Sequence, residues 1–197
     1  MPRAGLSRRT LTETALAIID DGGPRAFEDL TLAAVAARHG VSTPSLYKHV
    51  GSLADLRREV ALESVRDLTR ALGRACLGRA GADAVVSLAE GLRAFAEQNP
   101  ARYLAAQHAG DPDEPADAPI VDAGGEAVAV LTGALRGYDF PPERAIDAVR
   151  VFRSAIHGFV LLELEGGFGL PRDLDASFDV LVTMLVRGLD ELARDPG

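Results

Sequence analysis

The chain predicts an all-α fold on three observations. Residues able to cap a helix, Thr31, Ser42 and Ser52, recur at intervals of eleven and ten, which leaves room for a helix, a turn, a second helix and the start of a third. Apolar residues repeat at helical spacing through most of the remaining length. No segment alternates as a half-buried strand does, and no repeat of fixed period is present.

Helix one is expected over about 7–21, with Leu11, Ala15, Ile18 and Ile19 on one face and Gly22-Gly23-Pro24 ending it. Thr31 caps the next helix, and Leu30 and Val35 form a hydrophobic staple around that cap. Leu32, Val35 and Ala36 share a face, and Gly40 closes the helix in the left-handed conformation. Ser42 repeats the arrangement with Val41 and Leu46, and Ser52 starts a third copy with Asp55 placed against the helix dipole. Helix four then carries Leu53, Leu56, Val60, Leu68 and Leu72 as far as about Arg74. Beyond Gly78–Gly81, further helices are expected at about 82–98, 100–109, 119–137, 142–165 and 174–194. This gives an N-terminal three-helix domain over 1–51 and a C-terminal helical bundle over 52–197, with helix four, about 52–75, as the bridge.

The last two helices carry more apolar surface than one stripe. Ala155 to Leu164 is apolar nearly all round, and Phe178, Leu181, Val182, Leu185, Val186, Leu189 and Leu192 give the final helix a broad face. One side is expected to cover its own domain and another to meet a symmetry mate in a two-fold, four-helix interface.

Composition narrows the classes. With 47% hydrophobic and 25% charged residues the chain has the makings of a folded core. No run of about eighteen apolar residues is evident and the start, MPRAGLSRRT, lacks a secretory apolar stretch, so the expectation is a cytoplasmic protein with no membrane partner. Cys76 is the single cysteine, which excludes an internal disulfide and a thiolate metal cluster and leaves it the role of a small buried apolar residue. The net charge of −8 is unevenly shared: residues 1–70 hold ten basic and nine acidic residues, a balance of +1, against eleven and twenty, a balance of −9, over 71–197. Arg3, Arg8 and Arg9 read as a short basic arm ahead of the first helix.

Residues 30–50, LTLAAVAARHGVSTPSLYKHV, concentrate the functional signal, and Lys48 within them is the only lysine beside twenty arginines. Leu46 must face inward, which leaves Thr43, Pro44, Ser45, Tyr47, Lys48 and His49 on the outer side of the second helix. Short hydroxyls near a helix N-terminus suit base edges, and tyrosine, lysine and histidine further along suit phosphate oxygens. With Thr31 and Ser42 at the two helix N-termini, these eight residues are the DNA-binding candidates. His39 is read as a helix-end residue and left out.

Over residues 7–55 the chain resembles the DNA-binding domain of the TetR family of bacterial transcriptional regulators. The match lies in Leu30-Thr31-Leu32, Val35-Ala36, Gly40-Val41-Ser42 and Leu46-Tyr47-Lys48-His49, and covers about a quarter of the chain. Val50 departs from it, since the family usually carries phenylalanine there, which weakens the packing under the recognition helix. The resemblance implies a homodimer with its recognition helices about 34 Å apart on a pseudo-palindromic double-stranded operator. It also implies a C-terminal domain that encloses a small-molecule effector.

Ala155-Ile156-His157-Gly158-Phe159, with Leu162-Glu163 and Gly167-Phe168, is similar to a subgroup bearing a His-Gly signature on its eighth helix, and Asn99-Pro100 and Tyr103 fit the same pattern. The effector-binding candidates are Phe95, Tyr103, Gln107, His108, Phe152, Arg153, Ile156, His157 and Phe159, of which Arg153, if turned inward, needs an anion or an internal carboxylate. The alternative for the Phe and Ile positions is plain core, and for His157 a packing residue. The carboxylates of Asp111, Asp113, Glu114 and Asp117 lack the glycine and terminal glutamate of a calcium loop and read as a solvated connector. No nucleophile elbow, phosphate loop, dinucleotide fingerprint or zinc-helix pair occurs, and the histidines at 39, 49, 108 and 157 are scattered. No enzyme, metal or cofactor is expected. The function expected is a regulator, a repressor released from its operator by an effector. The alternative is a ligand-independent dimer whose C-terminal domain serves only dimerisation or protein docking.

Overall fold

The computed structural model describes residues 5–194, which are helical with no strand among them, the all-α class expected. α1 (Arg8–Asp20) starts at a reciprocal cap in which Ser7 Oγ accepts the Thr10 amide N–H at 3.2 Å and Thr10 Oγ1 accepts that of Ser7 at 3.0 Å. A 3-10 turn, Pro24–Phe27, leads to α2 (Leu32–His39), where Thr31 Oγ1 accepts the Ala34 N–H at 3.2 Å. α2 ends at Gly40, whose φ of 65° is left-handed and lets the Val41 N–H reach the Ala36 carbonyl at 3.1 Å. α3 (Leu53–Ala75) opens with Ser52 Oγ accepting the Asp55 N–H at 3.0 Å.

The middle cap differs from expectation. Thr43–Lys48 is a six-residue 3-10 helix, and the Ser42 side chain caps nothing. The Ser45 N–H, which occupies the place of the Ala34 and Asp55 amides in the other two caps, goes to the Ser42 carbonyl at 2.9 Å in the 3-10 pattern. The Ser42 hydroxyl meets that of Ser45 at 3.0 Å instead. The remaining elements are α4 (Gly81–Gln98), α5 (Pro100–Ala105), α6 (Ala118–Ala134), a 3-10 turn at Leu135–Tyr138, α7 (Pro142–Leu164) and α8 (Leu174–Arg194). α5 stops four residues short of the expected 109.

By compactness the chain does not divide at 51/52. One unit comprises the described residues up to Asp67 together with Asn99–Gly124, and the other comprises Leu68–Gln98 and the described residues from Gly125. The core of the first unit joins Leu11, Ala15 and Ile19 of α1, Val35 and Ala36 of α2, Leu46, Val50, Leu56 and Val60, and takes in Ala101 and Ala105 of α5. A smaller cluster sets Ala61, Leu62 and Val65 of α3 against Ile120 and Ala123 of α6. In the second unit α4, α7 and α8 pack on one another. The turn at Leu135–Tyr138 comes so near the start of α4 that a Cβ on Gly137 would lie 2.7 Å from the Gly81 nitrogen.

One stretch goes against the expectation that no long apolar run exists. Pro115–Tyr138 contains an 18-residue window of mean hydropathy 1.3, 28% of it buried, and is long and apolar enough to cross a membrane by length and composition. Its hydropathy comes from alanines and valines on a helix that also carries Asp122 and Glu126, and Ile120, Ala123, Leu131 and Ala134 along it are packed inside.

The acidic connector is solvated except at its end. Asp111, Asp113 and Glu114 are exposed, whereas Asp117 is buried, accepts the Asp111 N–H at 2.8 Å and pairs with the Arg58 guanidinium. Arg58 also holds Asp55 at 2.7 Å, so the connector is tied to the first turn of α3. The Asp111 amide, with Arg58 adding to it, holds the Asp117 carboxyl below the ordinary carboxylate range. A depressed folded value contributes stability above the unfolded pKa of about 4, and that stability is lost as pH falls through the folded value. Asp117→Asn should therefore lower the urea-unfolding free energy at pH 7 and reduce its acid-side decline. An unchanged midpoint at pH 7 with an unchanged acid limb would show that the tie contributes nothing.

Candidate nucleic-acid interface

Leu46 has no exposed surface and Val50 is buried beside it, so the short 3-10 helix is pinned by its inner side. Burying a leucine fully is worth about 2 kcal/mol, enough to fix which side of so short a segment faces out. Ser42, Pro44, Tyr47 and Lys48 are exposed, with Tyr47 at 56%, and Thr43, Ser45 and His49 are half-buried. Thr31 is also exposed, at the N-terminus of α2. All eight sequence candidates thus lie in the first unit, seven of them consecutive apart from the buried Leu46. Val50, in place of the larger phenylalanine, is itself well packed.

Two arginines expected in a basic arm are used otherwise. Arg8 and Arg9 form the first turn of α1, where Arg8 pairs with Glu59 at 2.8 Å and Arg9 with Glu13 at 2.8 Å, because both carboxylates lie within reach along α1 and α3. Arg3 lies outside the described residues. His39 ends α2, and its Nε2 lies 2.9 Å from Thr14 Oγ1.

Arg57 was invisible to local patterning. Its Nη2 donates to the carbonyls of Glu28 at 2.5 Å and Leu30 at 3.1 Å, bracing the backbone that leads into the Thr31 cap. Its separation of 27 to 29 residues from those carbonyls leaves no short-range signal.

The effector candidates fall in both units: Tyr103, Gln107 and His108 in the first, and Phe95, Phe152, Arg153, Ile156, His157 and Phe159 in the second. Phe95, Tyr103, Phe152 and Ile156 are buried, Gln107, His157 and Phe159 are half-buried, and His108 and Arg153 are exposed. His108 meets the Phe27 ring edge-on at 6.4 Å, and Gln107 Nε2 donates to the Tyr103 carbonyl at 3.0 Å. Burial, with the Arg153 charge second, pushes the His157 imidazole down from its ordinary value.

Arg153 is not the inward arginine. The buried side of α7 runs through Val149, Phe152, Ile156 and Val160, and position 153 falls off it. Arg93 of α4 takes that place, with a side chain 13% exposed: it forks onto Glu163 at 2.6 and 2.9 Å, meets Asp175 at 2.8 Å and Glu97 at 3.2 Å, and lies 4.8 Å from the centre of the Phe178 ring. Its carboxylates stand on three helices, two of them distant in the chain.

Residues 85–185 match the tetracyclin repressor-like C-terminal domain family. An uncharacterised HTH-type transcriptional regulator of Mycobacterium tuberculosis is 38% identical over 189 residues, covering 95% of this chain and 83% of that one. One from Bacillus subtilis is 29% identical over 189 residues, covering 95% of each. In fold, the chain is similar to a TetR from Streptomyces coelicolor, at a TM-score of 0.63 and 20% identity over 96% of this chain and 100% of that one. It is likewise similar to a TetR variant from Acinetobacter baumannii in complex with minocycline, at 0.67 and 20% over 96% and 99%. The family match over half the chain, and the mycobacterial relative over nearly all of it, show that this chain belongs to the tetracyclin repressor-like, or TetR, family of transcriptional regulators.

Proposed function

We propose that the chain is a homodimeric repressor that grips a double-stranded operator with the outer side of residues 42–49 and Thr31, and lets go when the C-terminal helices take up a small-molecule effector. The observation that carries this is the pinned, outward display of Tyr47 and Lys48 over a buried Leu46. Thr43 and Ser45 are the base-edge readers, and Tyr47, Lys48, His49, Thr31 and Ser42 hold phosphates. Such a regulator acts without turnover and works where bacterial DNA is, in the cytoplasm.

Dimerisation is supported by the apolar surface that α7 and α8 leave outside. Val151, Val180 and Met184 are 61%, 59% and 67% exposed, and Leu162 and Leu192 are exposed as well, while Phe178, Val182 and Leu189 face the protomer's own packing. Sides this apolar fit a second copy. Effector binding is supported by the match of residues 85–185 to the tetracyclin repressor-like C-terminal domain family and by the minocycline held by a regulator of similar fold. A thermal-shift screen that moves neither melting temperature nor operator affinity would favour the dimerisation-only alternative.

Lys48→Ala should weaken binding to all duplexes alike and reduce the slope of log affinity against log salt by about 0.9 for each Lys48 engaged. Tyr47→Phe, which removes a neutral hydroxyl, should weaken binding to all duplexes to a smaller degree with the salt slope unchanged. A changed operator preference at an unchanged slope would reassign Lys48 to base reading. Separately, Met184→Glu combined with Val180→Glu should convert the dimer to monomer in sedimentation and abolish tight operator binding. A double variant that remains dimeric would move the interface elsewhere.

A further inference from the structure

Arg102 stands on α5, inside the stretch matched to the C-terminal domain family, yet α5 is built into the first unit. Ala101 and Ala105 are buried in the cluster that holds Leu46 and Val50, and α5 packs on α1 and on Pro24–Phe27. The Arg102 side chain is 19% exposed and uses all three guanidinium nitrogens. Nε and Nη2 fork onto the two carboxylate oxygens of Asp20 at 2.6 Å each, and Nη1 donates to Asp67 Oδ2 at 2.5 Å. Asp20 is the last residue of α1, and Asp67 lies on α3. These are the two helices whose Leu11, Ala15, Ile19, Leu56 and Val60 share a core with Leu46. One cation therefore ties the end of α1 to α3.

We infer that Arg102 is a positioning residue for operator binding, acting through Asp20 and Asp67 on the seat of Leu46 and thereby on the aim of residues 43–49. This rests on the operator reading above. Only a guanidinium can fork onto one carboxylate and reach a second; a lysine ammonium is a single point of charge. Removing the cation takes away the one group that bonds both Asp20 and Asp67, so α1 and α3 lose that tie. Misaimed side chains lose base-edge contacts, which need fixed geometry, more than phosphate attraction, which tolerates displacement.

The test uses the full chain and an operator selected from random duplexes, with binding read by fluorescence anisotropy across a salt series beside an unselected duplex. Sedimentation and circular dichroism verify that each variant is folded and assembled as the unsubstituted chain is. Arg102→Ala should weaken operator binding on the order of tenfold and narrow the ratio of operator to random-duplex affinity, with the salt slope unchanged. Arg102→Lys should recover part of the loss, and Asp67→Asn, which keeps the Asp20 fork, should lose less than Arg102→Ala does. If Arg102→Ala unfolds the chain, the same narrowed ratio is read from Arg102→Lys and Asp67→Asn. Folded variants with the unsubstituted affinity and ratio overturn the inference. So does a lowered salt slope, which would put Arg102 on a phosphate itself. If the unsubstituted chain binds no duplex, the operator reading fails and this inference with it, whereas equal binding by all variants overturns this inference alone.

Discussion

The burial of Leu46 is the constraint on which the outward face of residues 43–49 depends. A six-residue 3-10 helix has too few backbone hydrogen bonds to hold its own orientation, so its direction is set by what it packs against. Leu46 meets residues of α1, α2, α3 and α5 in one cluster, and with Val50 inside as well the intervening Tyr47 and Lys48 have nowhere to go but outward. The polar face is thus a consequence of apolar packing, and DNA recognition on this account begins in the core.

Around that core the arginines work as structural ties. Arg8, Arg38, Arg58 and Arg102 each hold carboxylates in the first unit, and Arg57 holds two carbonyls ahead of Thr31. The exposed pairs contribute little to stability, while the half-buried forks of Arg58 and Arg102 join segments far apart in the chain. Most of the arginine charge of the first unit is thus committed internally, whereas Lys48 stands exposed at the end of the 3-10 helix.

What the sequence made legible was local. Thr31 and Ser52 cap as their spacing implied, Gly40 is left-handed, and the long helices fall within a few residues of their expected bounds. Ser42 does not cap, because the segment winds as a 3-10 helix and gives the Ser45 N–H to the Ser42 carbonyl. The inaccessible part was long-range. Arg102 and Asp20 are 82 residues apart, Arg93 and Glu163 are 70 apart, and Arg58 and Asp117 are 59 apart, and no periodicity encodes such pairings. For that reason the local pattern points to Arg153, which is exposed, and carries no sign that Asp117 anchors the acidic connector.

Amide hydrogen exchange of the full chain with and without a selected operator tests the central claim most directly. The account predicts slowed exchange on DNA binding across 43–49 and at the start of α2, with the buried core around Leu46 already protected in the free protein. Protection appearing elsewhere on the chain while 43–49 exchanges as fast as before would contradict it.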